Sequence, residues 1–432
     1  MGGLLAARVL ADAYGSVTVV ERDLLPERPT QRRGVSQGRH LHALQRRGSV
    51  VLEELLPGLF DELVAAGANV IDGTDASVIR AQVGDHVLCQ KGMFADPCSL
   101  VTPVASRPLL EALVRRRVRA IPNVAFRENH DVVQPVLGKA DRVTAVRVVD
   151  RATNTEQRLE ADIVVDATGR AARTPAFLAA HGYPVAPEQK YAVGLSYSSQ
   201  FFHLAAGTLV EKLILTAPTL ERPTGAGLLA YEHGTAVLTL IGIAGRQLPS
   251  DLPAMMVLAD ELLPHTITKA LRAAQPLGDP TTQHYPTSVW RRYDRARRFP
   301  EGLIVIGDAV CSLNPVYGQG MTSSAIQAKA LRDCLIDPPS NLSRRYFSSA
   351  AKKIAPIWRA NRINDFAVIP VHGWRSIPQR IVNWQLEQAM AAASNDLAVT
   401  ETFLRILGLT ASPTRLLRPS MMLRVIKANR RF

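Results

Sequence analysis

Cysteine is scarce in this sequence of 432 residues: the four present, Cys89, Cys98, Cys311 and Cys334, are scattered and show no CxxC spacing. That pattern excludes a cysteine-based zinc site and a disulfide framework, and it fits a reducing, cytoplasmic setting. Long apolar runs are lacking as well. The most apolar stretches, 163–165 and 303–306, are bounded by Gly, Asp or charge as buried strands are, and no window is long enough for a transmembrane helix. There is no internal repeat, no low-complexity tract, and no Ser-His-Asp or paired-carboxylate constellation. The start, Met1-Gly2-Gly3-Leu4-Leu5, has neither the basic stretch nor the extended apolar stretch of an export signal.

Arginine, by contrast, is plentiful. Lys plus Arg total 51 against 38 for Asp plus Glu, a formal net charge of +13. Such a surplus favours anionic partners: phosphates, acidic lipids or nucleic acid. The clusters at 115–117, 291–292, 297–298 and in the last eighteen residues are dispersed and match no nucleic-acid-binding motif, so no nucleic-acid partner is expected. With 47% hydrophobic and 21% charged residues, the chain is long enough for two or three packed layers around a core.

Apolar periodicity orders the rest. Residues 3–10 read as a helix of small residues, and 17–20 as a buried strand ending in Glu21. A basic loop with Arg32, Arg33 and Gly34 leads into a helix expected to reach about Leu56 and to stop before Pro57-Gly58. Strands are expected near 81–88, and as a pair over 142–149 and 158–165, with a helix over 108–119 between these regions. From about 183 to 245 the pattern is rich in strands and turn signals, and from about 323 it is mainly helical. The order describes a nucleotide-binding core, interrupted by β-rich insertions and followed by a helical C-terminus.

A dinucleotide-binding βαβ unit needs a strand, a tight glycine turn against the pyrophosphate, a helix whose N-terminus faces it, and an acid about twenty residues on. Gly2-Gly3-Leu4-Leu5-Ala6-Ala7 looks like the close of GxGxxG, with Gly3 allowing tight helix-to-strand packing. Glu21 stands where a carboxylate takes hydrogen bonds from ribose hydroxyls. The first strand and the first two turn positions of such a unit are not in the sequence. The expectation is therefore a start about ten residues upstream or weak dinucleotide binding. An ordinary helix after a glycine pair is the alternative reading of Gly2-Gly3.

The strongest signal lies later. Gly302-Leu303-Ile304-Val305-Ile306 is a buried strand that ends in Gly307-Asp308, and Asn314-Pro315-Val316-Tyr317-Gly318-Gln319-Gly320-Met321 then opens a helix. Glycines permit close backbone approach, and a helix N-terminus offers its dipole and unpaired N–H groups to an anion. This segment resembles the GD motif of the p-hydroxybenzoate-hydroxylase-like flavoproteins, a superfamily that also includes geranylgeranyl reductases and flavin halogenases. The resemblance implies that Asp308 binds the ribityl hydroxyls of FAD and that Pro315, Gly318, Gln319 and Gly320 lie along the flavin.

A second segment, Ala161-Asp162-Ile163-Val164-Val165-Asp166 running into Ala167-Thr168-Gly169-Arg170, resembles the strand and turn beside the cofactor in the same superfamily. That places Asp166 and Gly169 next to FAD. Ala-Thr-Gly stands here in place of the Asp-Gly of the aromatic hydroxylases and is closer to the reductase and halogenase branches. Arg33 in Arg33-Gly34-Val35 resembles the loop arginine that reaches toward the cofactor, and Arg107 in Ser106-Arg107-Pro108 the helix-start arginine near the FAD phosphates. Bidentate pairing suits a guanidinium to both places.

The resemblance spans nearly the whole chain. It implies an α/β fold with α+β insertions: a glutathione-reductase-type Rossmann FAD-binding domain, discontinuous over 1–74, 101–182 and 283–358. A β-sheet substrate domain over 75–100 and 183–282 and a helical C-terminal region over 359–432 complete it. The implied activity is that of an FAD-dependent monooxygenase using NAD(P)H and O2 to hydroxylate or epoxidise an apolar or aromatic small molecule. A flavin-dependent reductase of the geranylgeranyl reductase type and a truncated, inactive flavoprotein are the alternatives. No catalytic side chain stands out, because the cofactor carries the hard chemistry in such enzymes.

Other signals are weaker. His40 and His42 have no third ligand nearby in sequence and indicate no metal; one of them is a candidate flavin neighbour and proton relay. Gly225-Ala226-Gly227-Leu228-Leu229-Ala230 satisfies GxGxxA but reads as part of a hairpin. Gly373-Trp374-Arg375-Ser376-Ile377-Pro378 faintly echoes the WxWxIP signature of flavin halogenases, with one tryptophan missing, and is set aside. The tail over 415–427 is basic and apolar with no acid. It is expected to pack its Leu, Met and Val face on the domain, with peripheral contact to an anionic membrane as the alternative.

Overall fold

The computed structural model describes residues 1–32, 34–205, 207–337, 341–368 and 377–430, with backbone alone for 367, 368 and 377–383. Parallel strands are confined to short pieces. Val17–Val20 pairs with Val124–Arg127, and Val164–Asp166 pairs with Leu303–Val305. Leu303, Ile304, Val305 and Ile306 are all essentially inaccessible, as an unbroken apolar run in a covered strand should be. Helices cover these strands: Gly2–Leu10, Arg46–Leu55, Arg107–Arg119, Gly320–Leu335 and Leu342–Val368 share one core with them.

The expected strand pair over 142–149 and 158–165 divides differently. Val143–Asp150 pairs with Thr155–Glu160, in a three-stranded meander that begins at His130–Leu137. The chain then leaves the meander at Ala161, and Val164–Asp166 joins the Leu303 strand instead. The physical reason lies in the side chains. Thr155–Glu160 is polar and mostly exposed, whereas 163–165 are consecutive apolar residues that need cover on both faces.

The large sheet has eight strands, in the order Cys311–Ser312, Gln275–Arg291, Glu188–His203, Thr235–Gly242, Thr224–Ala230, Leu213–Thr216, Ile79–Val83 and His86–Val87. Only Leu213–Thr216 with Ile79–Val83 is parallel within it. Alternation along Glu188–His203 separates its faces. Phe202 points toward the helices Leu252–Leu262 and His265–Ala273, while Leu195 and Tyr197 point toward Val316 and Tyr285. Thr224–Ala230 pairs antiparallel on both sides, so the GxGxxA match is a sheet strand. Among the described residues, no helix is long and apolar enough to cross a membrane.

Gly48 marks the tightest helix contact near the later turns. A Cβ there would stand 2.7 Å from Leu44 Cδ1 and 3.2 Å from Thr322 Cα, the latter backbone of the helix Gly320–Leu335. Gly48→Val is therefore expected to cost about 1–3 kcal/mol by overpacking, read as a lower urea midpoint at unchanged m-value.

Candidate functional site

Three turns meet at the N-termini of two helices. The first is the entry to Gly2–Leu10: a Cβ on Gly2 would lie 3.7 Å from Gly307 Cα, and one on Gly3 would lie 3.2 Å from Ala167 Cβ. The second is the turn after Val164–Asp166, where the Asp166 carboxylate accepts from Thr168 N at 3.0 Å, from Thr168 Oγ1 at 2.6 Å and from the Thr174 hydroxyl. Its oxygens thus fasten the turn itself. Gly169 follows with φ +79°, a left-handed conformation with open space where a Cβ would be.

The third turn leaves the Leu303 strand. Gly307 has φ +71°, and its N–H donates to the buried Gln327 Oε1 at 2.9 Å, while Gln327 Nε2 donates to Ser323 Oγ at 3.1 Å. The helix Gly320–Leu335 thereby braces the turn that presents Asp308. Asp308 is half-buried beside it, and a Cβ on Gly320 would be 4.0 Å from Asp308 Oδ1. Burial raises the pKa of this carboxyl, against the opposing pull of the Met1 amine, Gln37, Arg170 and Arg107.

Between strand and helix, the chain folds back over 314–320. Asn314 Oδ1 accepts from Val316 N at 3.0 Å, Pro315 opens a short helical turn, and Gly318 closes it at φ +64°. Gln45 Nε2 donates to Tyr317 O at 2.9 Å from across the site. Among the described residues no side chain caps the helix at Gln319, so its first amides and dipole remain available, and the buried Gln319 Oε1 has no partner there. Behind the turn, Asp365 Oδ1 accepts from Asn314 Nδ2 and from Tyr317 OH, both at 2.7 Å. Burial raises the Asp365 pKa, although Tyr317, Tyr191 and Asn314 oppose the shift.

A cluster of cations adjoins these turns. Arg107 opens the helix Arg107–Arg119, with Ser106 as its cap, and is 6% exposed. Arg32, Arg107 and Arg115 surround Glu111 at 2.6, 3.2 and 3.3 Å. Burial works against the charge of Glu111, but Arg107, the Met1 amine and Arg32 outweigh it and hold its carboxyl below the ordinary value. Arg32 also reaches Glu21 and Asp23, each at 3.4 Å, which ties the end of Val17–Val20 to the cluster. Arg107 itself is incompletely satisfied: among the described residues its buried Nε has no acceptor and its Nη1 meets only the Glu111 carboxylate, at 3.2 Å, and burial lowers its pKa. A buried N–H without an acceptor among the described residues, beside one carboxylate shared by three guanidinia, is what a phosphate or pyrophosphate would complete.

The remaining wall comes from the large sheet. Leu195 and Tyr285 are cross-strand partners, and with Tyr197 and Ile241 they pack on Val316 of the turn. Arg170 lies over the Tyr285 ring at 4.3 Å and donates to Thr287 Oγ1 at 2.7 Å. His40 Nδ1 is 2.8 Å from Ser199 Oγ. Burial, then Arg39, lowers the His40 pKa to about 4, and burial, then Arg107, lowers that of His42 to about 3, so both rings are neutral near neutral pH. Among the described residues, no three His, Cys, Asp or Glu side chains are grouped to hold a metal.

Of the residues expected from sequence, the structure brings Gly2, Gly3, Asp166, Gly169, Asp308, Pro315, Gly318, Gln319 and Gly320 around the three turns, with Arg107 and Glu21 in the adjoining cluster. Arg33 lies outside the described residues, as does Gly373-Trp374-Arg375-Ser376. Sequence reasoning passed over Arg32, Glu111, Arg115 and Asp365. The i, i+4, i+8 spacing of Arg107, Glu111 and Arg115 was the signal for a shared helix face.

No family model matches the chain. Protein Rv3254 of Mycobacterium tuberculosis is 37% identical over 418 residues, covering 94% of this chain and 87% of that protein. Among solved structures, pqsL, a probable FAD-dependent monooxygenase from Pseudomonas aeruginosa, aligns with a TM-score of 0.64 at 17% identity, over 85% of this chain and 93% of its own. The flavin-dependent brominase Bmp2 aligns at 0.66 and 13%, over 100% and 96%. The tetrameric 2-methyl-3-hydroxypyridine-5-carboxylic acid oxygenase aligns at 0.59 and 16%, over 92% and 94%. At these identities the likeness is one of fold.

Asp365 supplies a test of how the turn is held. Between the ordinary aspartate pKa of 3.8 and its raised value, the folded state keeps a proton that the unfolded state has lost, so stability falls as pH rises through that window. Asp365→Asn keeps an acceptor for Asn314 and Tyr317 and does not titrate. It should match the parent near pH 3 and gain on it above the window, by about 1.4 kcal/mol for each pH unit the window spans. Asp365→Ala should lose about 1–3 kcal/mol at every pH. Urea unfolding from pH 3 to 8 reads both.

Proposed function

We propose that this chain, which belongs to the same family as Protein Rv3254 of Mycobacterium tuberculosis and has the fold of the p-hydroxybenzoate-hydroxylase-like flavoproteins, is an FAD-dependent monooxygenase. The observation behind the reading is the under-satisfied Arg107 guanidinium beside Asp308 and the uncapped N-terminus at Gly320. Arg107 and Arg32 would hold the pyrophosphate, and Glu21 the ribose. Asp308 would take the ribityl hydroxyls, and the first amides at Gly320 would face the electron-rich edge of the ring. The short parallel strand pairs fit the two sides of a Rossmann-type sheet, and the large sheet fits a substrate domain.

Bound FAD would supply the redox chemistry, taking a hydride from NAD(P)H and directing one atom of O2 to the substrate while the other leaves as water. The residues of this chain orient and insulate. Leu195, Tyr197, Tyr285 and Val316 form an apolar, aromatic wall that suits a substrate of the same character and excludes water. The uncapped helix start offers fixed dipoles to developing negative charge. His40, bonded to Ser199, is held neutral by its burial and resists taking up a proton near neutral pH, so it lines the wall as an uncharged polar group.

A second reading, a flavin-dependent reductase of the geranylgeranyl reductase type, is favoured by the Asp166-Ala167-Thr168-Gly169 turn, whose carboxylate is occupied within the turn. The two readings part in one assay series. NAD(P)H oxidation tied stoichiometrically to O2 uptake supports the monooxygenase, and anaerobic saturation of a polyprenyl substrate supports the reductase. A protein that stays colourless and gains no thermal protection with excess FAD defeats both. Arg107→Met is expected to weaken FAD about ten- to a hundredfold, from the loss of a charged hydrogen-bonding group, measured by fluorescence titration.

A further inference from the structure

The C-terminal helix Pro419–Asn429 has two apolar rows, and only one of them is used. Met421, Val425 and Ala428, spaced i, i+4 and i+7, join Met390, Ala393 and Val399 in a small core. Asn429 Nδ2 donates to both Gln388 O and Gln388 Oε1 at 3.1 Å, which fixes the helix against Ile377–Ala393. The expected inward packing is therefore met by Met421 and Val425. It leaves a second row, Met422, Leu423 and Ile426, at 44%, 58% and 44% exposure, with Leu417 at 50% just ahead of the helix. Trp384, one turn before Gln388 on the supporting helix, is 63% exposed.

From this, we propose that the outer row, with Leu417 and Trp384, is a docking surface for an anionic lipid bilayer. Charge complementarity points to that occupant. Residues 411–430 hold Arg415, Arg418, Arg424, Lys427 and Arg430 and no acid. Arg418, Lys427 and Arg430 are exposed around the row. Two carboxylates lie on the neighbouring segments: Asp396 pairs with Arg424 at 3.0 Å, and the exposed Glu387, three residues after Trp384, is 2.6 Å from His86 Nε2. Cations in the headgroup layer with Leu, Ile and Met just below them is the arrangement of an interfacial helix, and an exposed tryptophan suits the same depth. A second copy of the chain would bring the same cations to the contact and be repelled by them. The surface stands apart from the flavin site, and its success or failure is read without any turnover.

The full chain is sedimented with vesicles of phosphatidylcholine alone and of phosphatidylcholine mixed with phosphatidylglycerol. Binding is expected to the mixed vesicles, weakening as salt rises, and not to phosphatidylcholine alone. Leu423→Ser combined with Ile426→Ser should lower the partition at least about tenfold at unchanged Tm, since neither side chain belongs to the small core. Brominated lipid should quench tryptophan emission in the parent, with that quenching reduced in Trp384→Phe. Absence of binding to the mixed vesicles, or equal binding by the double serine variant, overturns the proposal. So does a lipid-free dimer that the double serine variant abolishes, which would make this face a self-association surface.

Discussion

The helix Gly320–Leu335 presents its N-terminus because other backbones reach it with almost nothing in between. Gly48 brings Arg46–Leu55 against Thr322, and Gly2 brings the first helix against Gly307. From inside the helix, Gln327 then takes the Gly307 amide. A Cβ at Gly48 would push the helix outward and shift its first amides away from Asp308. Close-packed interiors transmit such displacements because few voids absorb them. The position of the turn over 314–320 is therefore set by backbone contacts at Gly2 and Gly48 and by Gln45 on Tyr317.

Charge is arranged around this scaffold with equal economy. Three guanidinia share Glu111 in a largely buried cluster, and among the described residues the buried Arg107 Nε meets no acceptor. Buried cations that outnumber the carboxylate they share are costly unless something of opposite sign completes them. His40 and His42 are kept neutral by the same burial, and Asp365 is pushed toward its neutral form while it anchors Asn314 and Tyr317. The buried charge is thus weighted toward guanidinium, with Glu111 as the carboxylate that three arginines share.

Much of this was legible in residue order. The apolar run at 303–306, the Gly307-Asp308 step and the glycines of 318–320 each state a local requirement: cover on both faces, a left-handed turn, a helix start without a side-chain cap. Such requirements depend on neighbours in the chain, and the structure meets them where the sequence placed them. Strand partners were less legible. Periodicity marked 158–165 as strand but could not show that the chain changes partner at Ala161, because pairing is chosen by residues more than a hundred positions away. Arg32 and Asp365 were invisible for the same reason. Arg32 stood only as a neighbour of Arg33 in the basic loop and Asp365 in no motif, and each matters through groups brought to it by other segments.

By itself, then, the sequence determined the elements whose cause is local: the buried strand, the Gly-Asp turn, the Arg107 helix with its i, i+4 partners, and a C-terminal helix that is basic and apolar at once. Tertiary structure alone decided that Arg32 joins Arg107 and Arg115 at Glu111, which carboxyl fastens the turn after Asn314, and which of two apolar rows on Pro419–Asn429 is left facing outward. The division follows from the physics. Dihedral preference and amphipathic period are properties of a few consecutive residues, whereas burial, pairing and pKa depend on what distant segments bring into contact.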